Sequence, residues 1–285
     1  MTAPAGSWTT ANQRYLMAAL ESVRRRLAPG DSPPPQQEEL TPPPAIEVLC
    51  KAFSLSAFER AVLLLCAGVE LDASFAALVA TVRGDGQRQP DFALALGALE
   101  NPHWSALSPT APLRLYRLVE PASRGPLTTA PLRIDERVLH YLTGVDTIDE
   151  RLLGLLTPGI ARPAELMPSQ RGVADRAAVL LAPLSWSEAP ALLQLCGRDP
   201  ASLRAVAAQA ATAAGLGLLS ISAADLPPAA ADREVLLRLC EREAVLGAAA
   251  IHLELNDAAP ETAQIAASFA EKLRAPVLIT SREPV

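Results

Sequence analysis

Apolar positions recur at helical spacing through the first stretch of the chain. Trp8, Ala11, Tyr15, Leu16, Leu20, Val23 and Leu27 fall on one face of a helix over residues 8–27. Arg24, Arg25 and Arg26 close it as a solvated end, where a helix C-terminus favours cations. The spacing resumes over Ala45–Phe53. Ser56-Ala57-Phe58-Glu59 has the form of a capping box and opens a helix over Ala57–Val69. Its run Val62-Leu63-Leu64-Leu65-Cys66 is apolar nearly all round, which predicts a central helix. Two more helices are expected, over Ala73–Val82, stopped by Gly84-Asp85-Gly86, and over Pro90–Leu99, started by Pro90. His103-Trp104-Ser105-Ala106-Leu107 reads as a short turn. Leu113, Leu115 and Leu118 interleave with Arg114 and Arg117, and with Pro126–Ile134 they predict a β-hairpin. Asp135 then opens a helix through Val138, Leu139 and Leu142. Helices followed by a hairpin suggest a winged-helix-like module.

A second pattern fills residues 190–281. A buried strand is expected over Ala191–Cys196, a turn at Gly197 and a helix from Pro200 to Ala214. A strand over Leu216–Ile221, an acidic apolar strand over Ala248–Asp257 and a short strand over Pro276–Ser281 complete the set. Strands alternating with helices point to a parallel sheet. The fold class is therefore α/β overall, a helical winged-helix-like module plus a degenerate P-loop or Rossmann-like parallel α/β domain. An N-terminal helix occupies 1–30, a Pro-rich linker 31–44, the helical module 45–145, a hinge 146–175 and the α/β domain 176–285. Pro33-Pro34-Pro35 and Pro42-Pro43-Pro44 make the linker extended and semi-rigid. Pro158-Gly159 and Pro163 break the hinge. The strands are few for such a sheet, so its C-terminal edge is expected to be exposed or unfinished.

The skeleton is that of a P-loop NTPase, whose first turn carries G-x-x-x-x-G-K-[ST]. Its amides cradle phosphates, its Lys reaches them and its hydroxyl holds Mg²⁺. Here the stretch is Gly197-Arg198-Asp199-Pro200-Ala201-Ser202-Leu203-Arg204. Ser202, Leu203 and Arg204 stand where Gly, Lys and Ser/Thr are needed, and Pro200 removes an amide donor. The two lysines, Lys51 and Lys272, are far from Gly197 in sequence. Arg204 has a planar fork that does not replace a lysine point charge. On the acidic strand, Glu254 falls at the metal-binding acid and Leu255 at the glutamate that orients water. Glu254 and Asp257 read more simply as strand-end polar groups. Thr280 and Ser281 stand where such folds keep a γ-phosphate sensor, and read equally as turn residues. Gly197, Arg198, Asp199, Arg204, Glu254 and Thr280 are the candidate residues of a degenerate nucleotide site without hydrolytic machinery. An altered loop that still holds nucleotide is the alternative.

With 285 residues, half of them apolar, two domains are expected. A net charge of −6 argues against a broad nucleic-acid footprint. Arg114, Arg117, Arg124 and Arg133, on or near the wing, invite the reading of a DNA-binding regulator. Against it, the stretch Pro90–Leu99 holds no Arg, Lys, Asn or Gln and runs into Glu100, so protein contact is favoured. Cys50, Cys66, Cys196 and Cys240 lie in apolar runs without C-x-x-C spacing and read as buried free thiols of a reducing cytoplasm. His103, His140 and His252 lack ligand spacing, so they read as packing or surface residues and no metal is expected. No basic-then-apolar leader and no apolar run of membrane-spanning length is visible.

Three segments are similar to a known family: Phe58-Glu59-Arg60-Ala61-Val62-Leu63-Leu64-Leu65-Cys66 continuing to Asp72, His103-Trp104-Ser105-Ala106-Leu107, and Pro131–Leu142. Together they resemble the N-terminal region of the AAA-type ATPases encoded with bacterial extracellular contractile injection systems. Glu241-Arg242-Glu243-Ala244 and its flanking strands fit the same region. The resemblance implies a longer, two-tiered parent whose C-terminal AAA module carries the ATP and Mg²⁺ site. It implies no cofactor for this chain, and no catalytic residue of that family has a matching position here. The partners it implies are injection-particle components or other copies in a ring. The implied role is assembly, remodelling or disassembly of the particle.

Overall fold

The computed structural model describes residues 5–28, 40–122, 125–161, 166–182, 191–256 and 258–284. The chain divides into two units, Met1–Thr147 and Ile148–Val285. Most of the linker, residues 31–39, lies outside the described residues, as do Arg124 and Asp257.

The first unit is helical. Helix α1 (Ala5–Leu27) buries Leu16, Ala19, Leu20 and Val23. Helices α2 (Ala45–Ala52), α3 (Ala57–Leu71), α4 (Ala73–Arg83) and α5 (Phe92–Ala98) follow. The capping box forms as its sequence predicts: the Ser56 hydroxyl accepts from Glu59 N, and the Glu59 carboxylate accepts from Ser56 N. Every residue from Ala61 to Gly68 is buried, so α3 is the central helix. Gly68 is required there, because a Cβ would meet the Phe75 ring at 2.9 Å. Buried Asn12 joins three segments: its amide donates to Leu142 O at 2.9 Å, and its Oδ1 accepts from Ala45 N at 2.8 Å.

The hairpin is shorter than expected. Leu113–Leu118 is not a strand. Pro112 fills the first turn of helix α6 (Pro112–Leu115), and Arg117 takes a left-handed φ of 50° that ends the turn. Strands β1 (Val119–Pro121) and β2 (Leu132–Ile134) pair antiparallel, with Val119 opposite Ile134. Pro126–Pro131 is turn rather than strand. Helix α7 (Glu136–Thr143), capped by Asp135, closes the unit.

The second unit is a five-stranded sheet between two helix layers. Its strands are β3 (Thr157–Pro158), β4 (Leu192–Cys196), β5 (Gly217–Ser222), β6 (Ala249–Glu254) and β7 (Val277–Ser281). The spatial order is β3-β5-β6-β7-β4, parallel except for the edge strand β3. Helices α8 (Pro168–Leu181) and α9 (Pro200–Ala213) share a core with Leu218, Ala250 and Leu278 on one face. Helices α10 (Ala230–Leu246) and α11 (Pro260–Lys272) cover Ile251, Leu253, Val277 and Ile279 on the other. The stretch read as a hinge is largely part of this unit: Leu152 and Leu156 are buried in the α10–α11 core, and α8 is a full helix.

Candidate functional site

The residues that would grip a phosphate gather where β4, β6 and β7 end. Gly197 follows β4 and donates its N–H to Ser281 O at 3.0 Å. Leu203, at the lysine position, packs under this turn; a Cβ on Gly197 would stand 3.3 Å from it. The Asp199 carboxylate caps α9, accepting from Ala201 N and Ser202 N, both at 3.2 Å, and from Ser202 Oγ at 2.6 Å. The Ser202 hydroxyl, then the Ser202 and Ala201 amides, hold Asp199 below the usual carboxylate range. These are the helix-head amides an incoming phosphate would use. Arg204 Nη1 donates to Glu254 Oε2 at 2.9 Å, and Arg198 is exposed on the turn. Leu255, at the water-orienting position, is buried, and its N–H donates to Thr280 O at 2.8 Å.

Thr280 and Ser281 are buried strand residues, not turn residues. Thr280 belongs to a relay across three strands. Ser220 Oγ lies 2.8 Å from His252 Nδ1, and His252 Nε2 lies 3.0 Å from Thr280 Oγ1. Burial, then the charge of Arg204, pulls the His252 imidazole down to about 4. The neutral ring therefore stitches the sheet with one N–H and one lone pair. The sequence held one signal for this relay, a polar residue inside or at the end of each of three otherwise apolar strands.

Among the described residues no group of His, Cys, Asp or Glu has the geometry to hold a metal. Cys50, Cys66 and Cys240 are buried free thiols, but Cys196 is exposed, because it ends β4 at the sheet's edge.

In the first unit, α5 buries Phe92 and Ala95, and its cap Asp91 is bonded by Arg83. Arg114 turns inward to Leu107 O at 2.6 Å. Arg117 pairs with Glu120 at 3.4 Å, and Arg133 stands exposed on β2 between buried Leu132 and Ile134. The family model described as "Winged helix domain, variant" matches residues 9–156. The chain belongs to this winged helix family. No curated protein and no solved structure matches it. A winged helix supports a regulatory or a DNA-binding role, and its arginines bear on that choice. Besides the pairs above, Arg24 contacts Asp72, Arg26 contacts Glu100 and Arg60 contacts Glu47. Arg24, Arg26, Arg60, Arg83 and Arg117 are thus engaged by the protein's own acids and Arg114 by a backbone carbonyl, while Arg133 stands exposed.

Proposed function

We propose that this chain is a non-catalytic regulatory and partner-recognition region, resembling the N-terminal region of an AAA-type ATPase of a contractile injection system. The observation that carries this reading is the filling of the phosphate end from within. Asp199 occupies the α9 amides, Leu203 is packed under the turn, and Leu255 is in the core. Hydrolysis of a nucleoside triphosphate needs free backbone amides at the first of these positions, a cation at the second and a water-orienting acid at the third. The sheet order supports descent from a nucleotide-binding unit, since Gly197, Glu254 and Thr280 converge at the carboxyl ends of parallel strands. Protein contact rather than DNA contact is supported by Trp104, which is 69% exposed on a turn. His103 fixes that turn through Ser56 at 2.9 Å and Ser105 at 2.8 Å. A large, pre-ordered aromatic is the usual anchor of a protein interface. The proposed partners are particle components or other copies, with ATP and Mg²⁺ confined to a module outside this chain.

Titration calorimetry with Mg·ATP and a steady-state hydrolysis assay test the reading. No binding heat and background turnover are expected. Micromolar binding that Arg204→Ala removes would replace it with a nucleotide-binding unit using an altered loop. A second assay, gel shift with duplex DNA at physiological salt, is expected to be negative; a sequence-specific shift lost on Arg133→Ala would favour the DNA-binding regulator.

A further inference from the structure

The two edges of the five-stranded sheet are built differently. Strand β3, at one edge, is two residues long and ends on Pro158, which has no N–H to offer a further strand. Strand β4, at the other edge, is five residues long. From Ala191 to Gly197 the sequence holds no charge and no proline. Among the described residues no strand pairs with its outer side. Charge, proline and short length are what keep natural sheet edges from associating, and β4 has none of the three.

The ladder to β7 fixes which backbone groups face outward. Val277 N donates to Ala191 O at 2.8 Å, and Gly197 N donates to Ser281 O at 3.0 Å. Alternate residues, from Ala191 through Leu193 and Leu195 to Gly197, therefore turn their backbone groups to β7. Leu192, Gln194 and Cys196 turn theirs to the open side. The same three residues are exposed, Leu192 by 45%.

This row is complementary to itself. When a second β4 runs antiparallel with Gln194 opposite its own copy, Leu192 stands opposite Cys196 at both ends. Each of these pairs sets an outward N–H against an outward C=O in both directions, which is the hydrogen-bonded pair of an antiparallel ladder. No other register uses all three outward residues of both strands. On the face that packs against α8 and α9, the same register sets Leu193 beside Leu195, and no like charges meet.

We propose that β4 is the surface through which two copies of this chain associate, as an antiparallel two-fold pair centred on Gln194 that joins two sheets into one. The inference goes beyond the regulatory reading and does not rest on it, since it needs only the open edge of the α/β unit. A five-residue edge is small for an interface, so association at about 10–100 µM is expected.

The test uses the full chain. Sedimentation and light scattering are expected to show a monomer–dimer equilibrium. Leu192→Lys puts a charge into the row and is expected to weaken the dimer at least about tenfold. Its monomer should melt within about 5 °C of the parent, because this side chain is already half exposed. Cross-linking reads the register. Leu192→Cys sets a thiol opposite Cys196 of the second copy, with Cα atoms about 5.5 Å apart, a separation a disulfide spans. Within one chain the two positions lie about 13 Å apart along the strand and cannot bridge. Mild oxidation is expected to give a covalent dimer from this variant and none from the parent, whose Cys196 faces leucine. A parent that stays monomeric well above the expected range, or a dimer that Leu192→Lys leaves unchanged, would overturn the proposal. So would a Leu192→Cys chain that does not cross-link, or a parent that cross-links equally fast.

Discussion

Lowering the pH from 7 toward 4 should weaken the α/β unit through one imidazole. His252 is fully buried between Ser220 and Thr280, with Arg204 and Glu254 the charged groups nearest to it. Its folded value is about 4 against 6.5 for the free side chain. The unfolded chain therefore binds the proton first as pH falls. Stability is fully present above 6.5, declines through the window from 6.5 to about 4, and levels off below it. At about 1.4 kcal/mol per unit of difference, the full loss is about 3 kcal/mol. Glu254 Oε1, 3.9 Å from Nδ1, tempers this loss only partly, because Arg204 already holds its other oxygen. Asp149 and Asp199 have lowered values, so their contributions are lost only as pH falls through the acid range beneath the ordinary carboxylate value. The assay is native-state hydrogen exchange of the β5 and β6 amides across pH 4–7, corrected for intrinsic rates, in the parent and in His252→Gln. Glutamine can keep both hydroxyl contacts but cannot take the proton. The parent should lose opening free energy through the window while the variant stays flat. Equal slopes in the two proteins would refute the assignment.

Three further outcomes follow from the packing. Gly68→Ala should destabilise the first unit by about 1–3 kcal/mol, because the new methyl group lies against the Phe75 ring; thermal melts of Gly68→Ala with and without Phe75→Leu check this, and the second change should recover part of the loss. Ser56→Ala should cost about 1–2 kcal/mol by uncapping α3 and freeing His103 Nε2, read from urea unfolding of the first unit. In thiol titration of the folded protein, Cys196 should react rapidly. Cys50 and Cys240, each pushed up to about 12 by burial, and the buried Cys66 should react only on unfolding, so a second fast thiol would contradict the packing.

Most of the helices and central strands were legible because their signals are local. Capping at Ser56, the apolar run Val62–Cys66 and the alternating elements from Ala191 onward depend on neighbours within a few residues. The strand read into Leu113–Leu118 failed because alternation over so short a stretch fits a helical turn equally well, and Pro112 decided for the turn. Helices α8, α10 and α11 were not read from the sequence; α10 has a weak amphipathic pattern and buries Glu241, Arg242 and Glu243 along with its leucines. A buried Arg-Glu stretch looks like a solvated surface until its partners are known, and Asp149 lies 93 positions away from Arg242. What was legible at Gly197 was the absence of the P-loop's Gly, Lys and hydroxyl residues. What filled the gap was not, since the Asp199 cap is read from a helix start that the P-loop comparison ignores.

The two units share one electrostatic habit, and it bears on function. Arg24, Arg60 and Arg83 in the first unit, and Arg204, Arg238 and Arg242 in the second, each meet a carboxylate of the chain itself. The exposed pairs among them add little stability. Their consequence lies in what they withhold. An arginine already held by a carboxylate must give up that contact before it grips a phosphate, so each such pair lowers the gain from an anionic ligand. At the head of α9 the same effect comes from Asp199, which supplies the negative charge that the helix dipole favours. The protein-contact reading proposed above leans on these pairs and on shape and apolar contact in place of charge. The contact proposed for the winged helix is Trp104, exposed on a turn that His103 ties to Ser56 and Ser105.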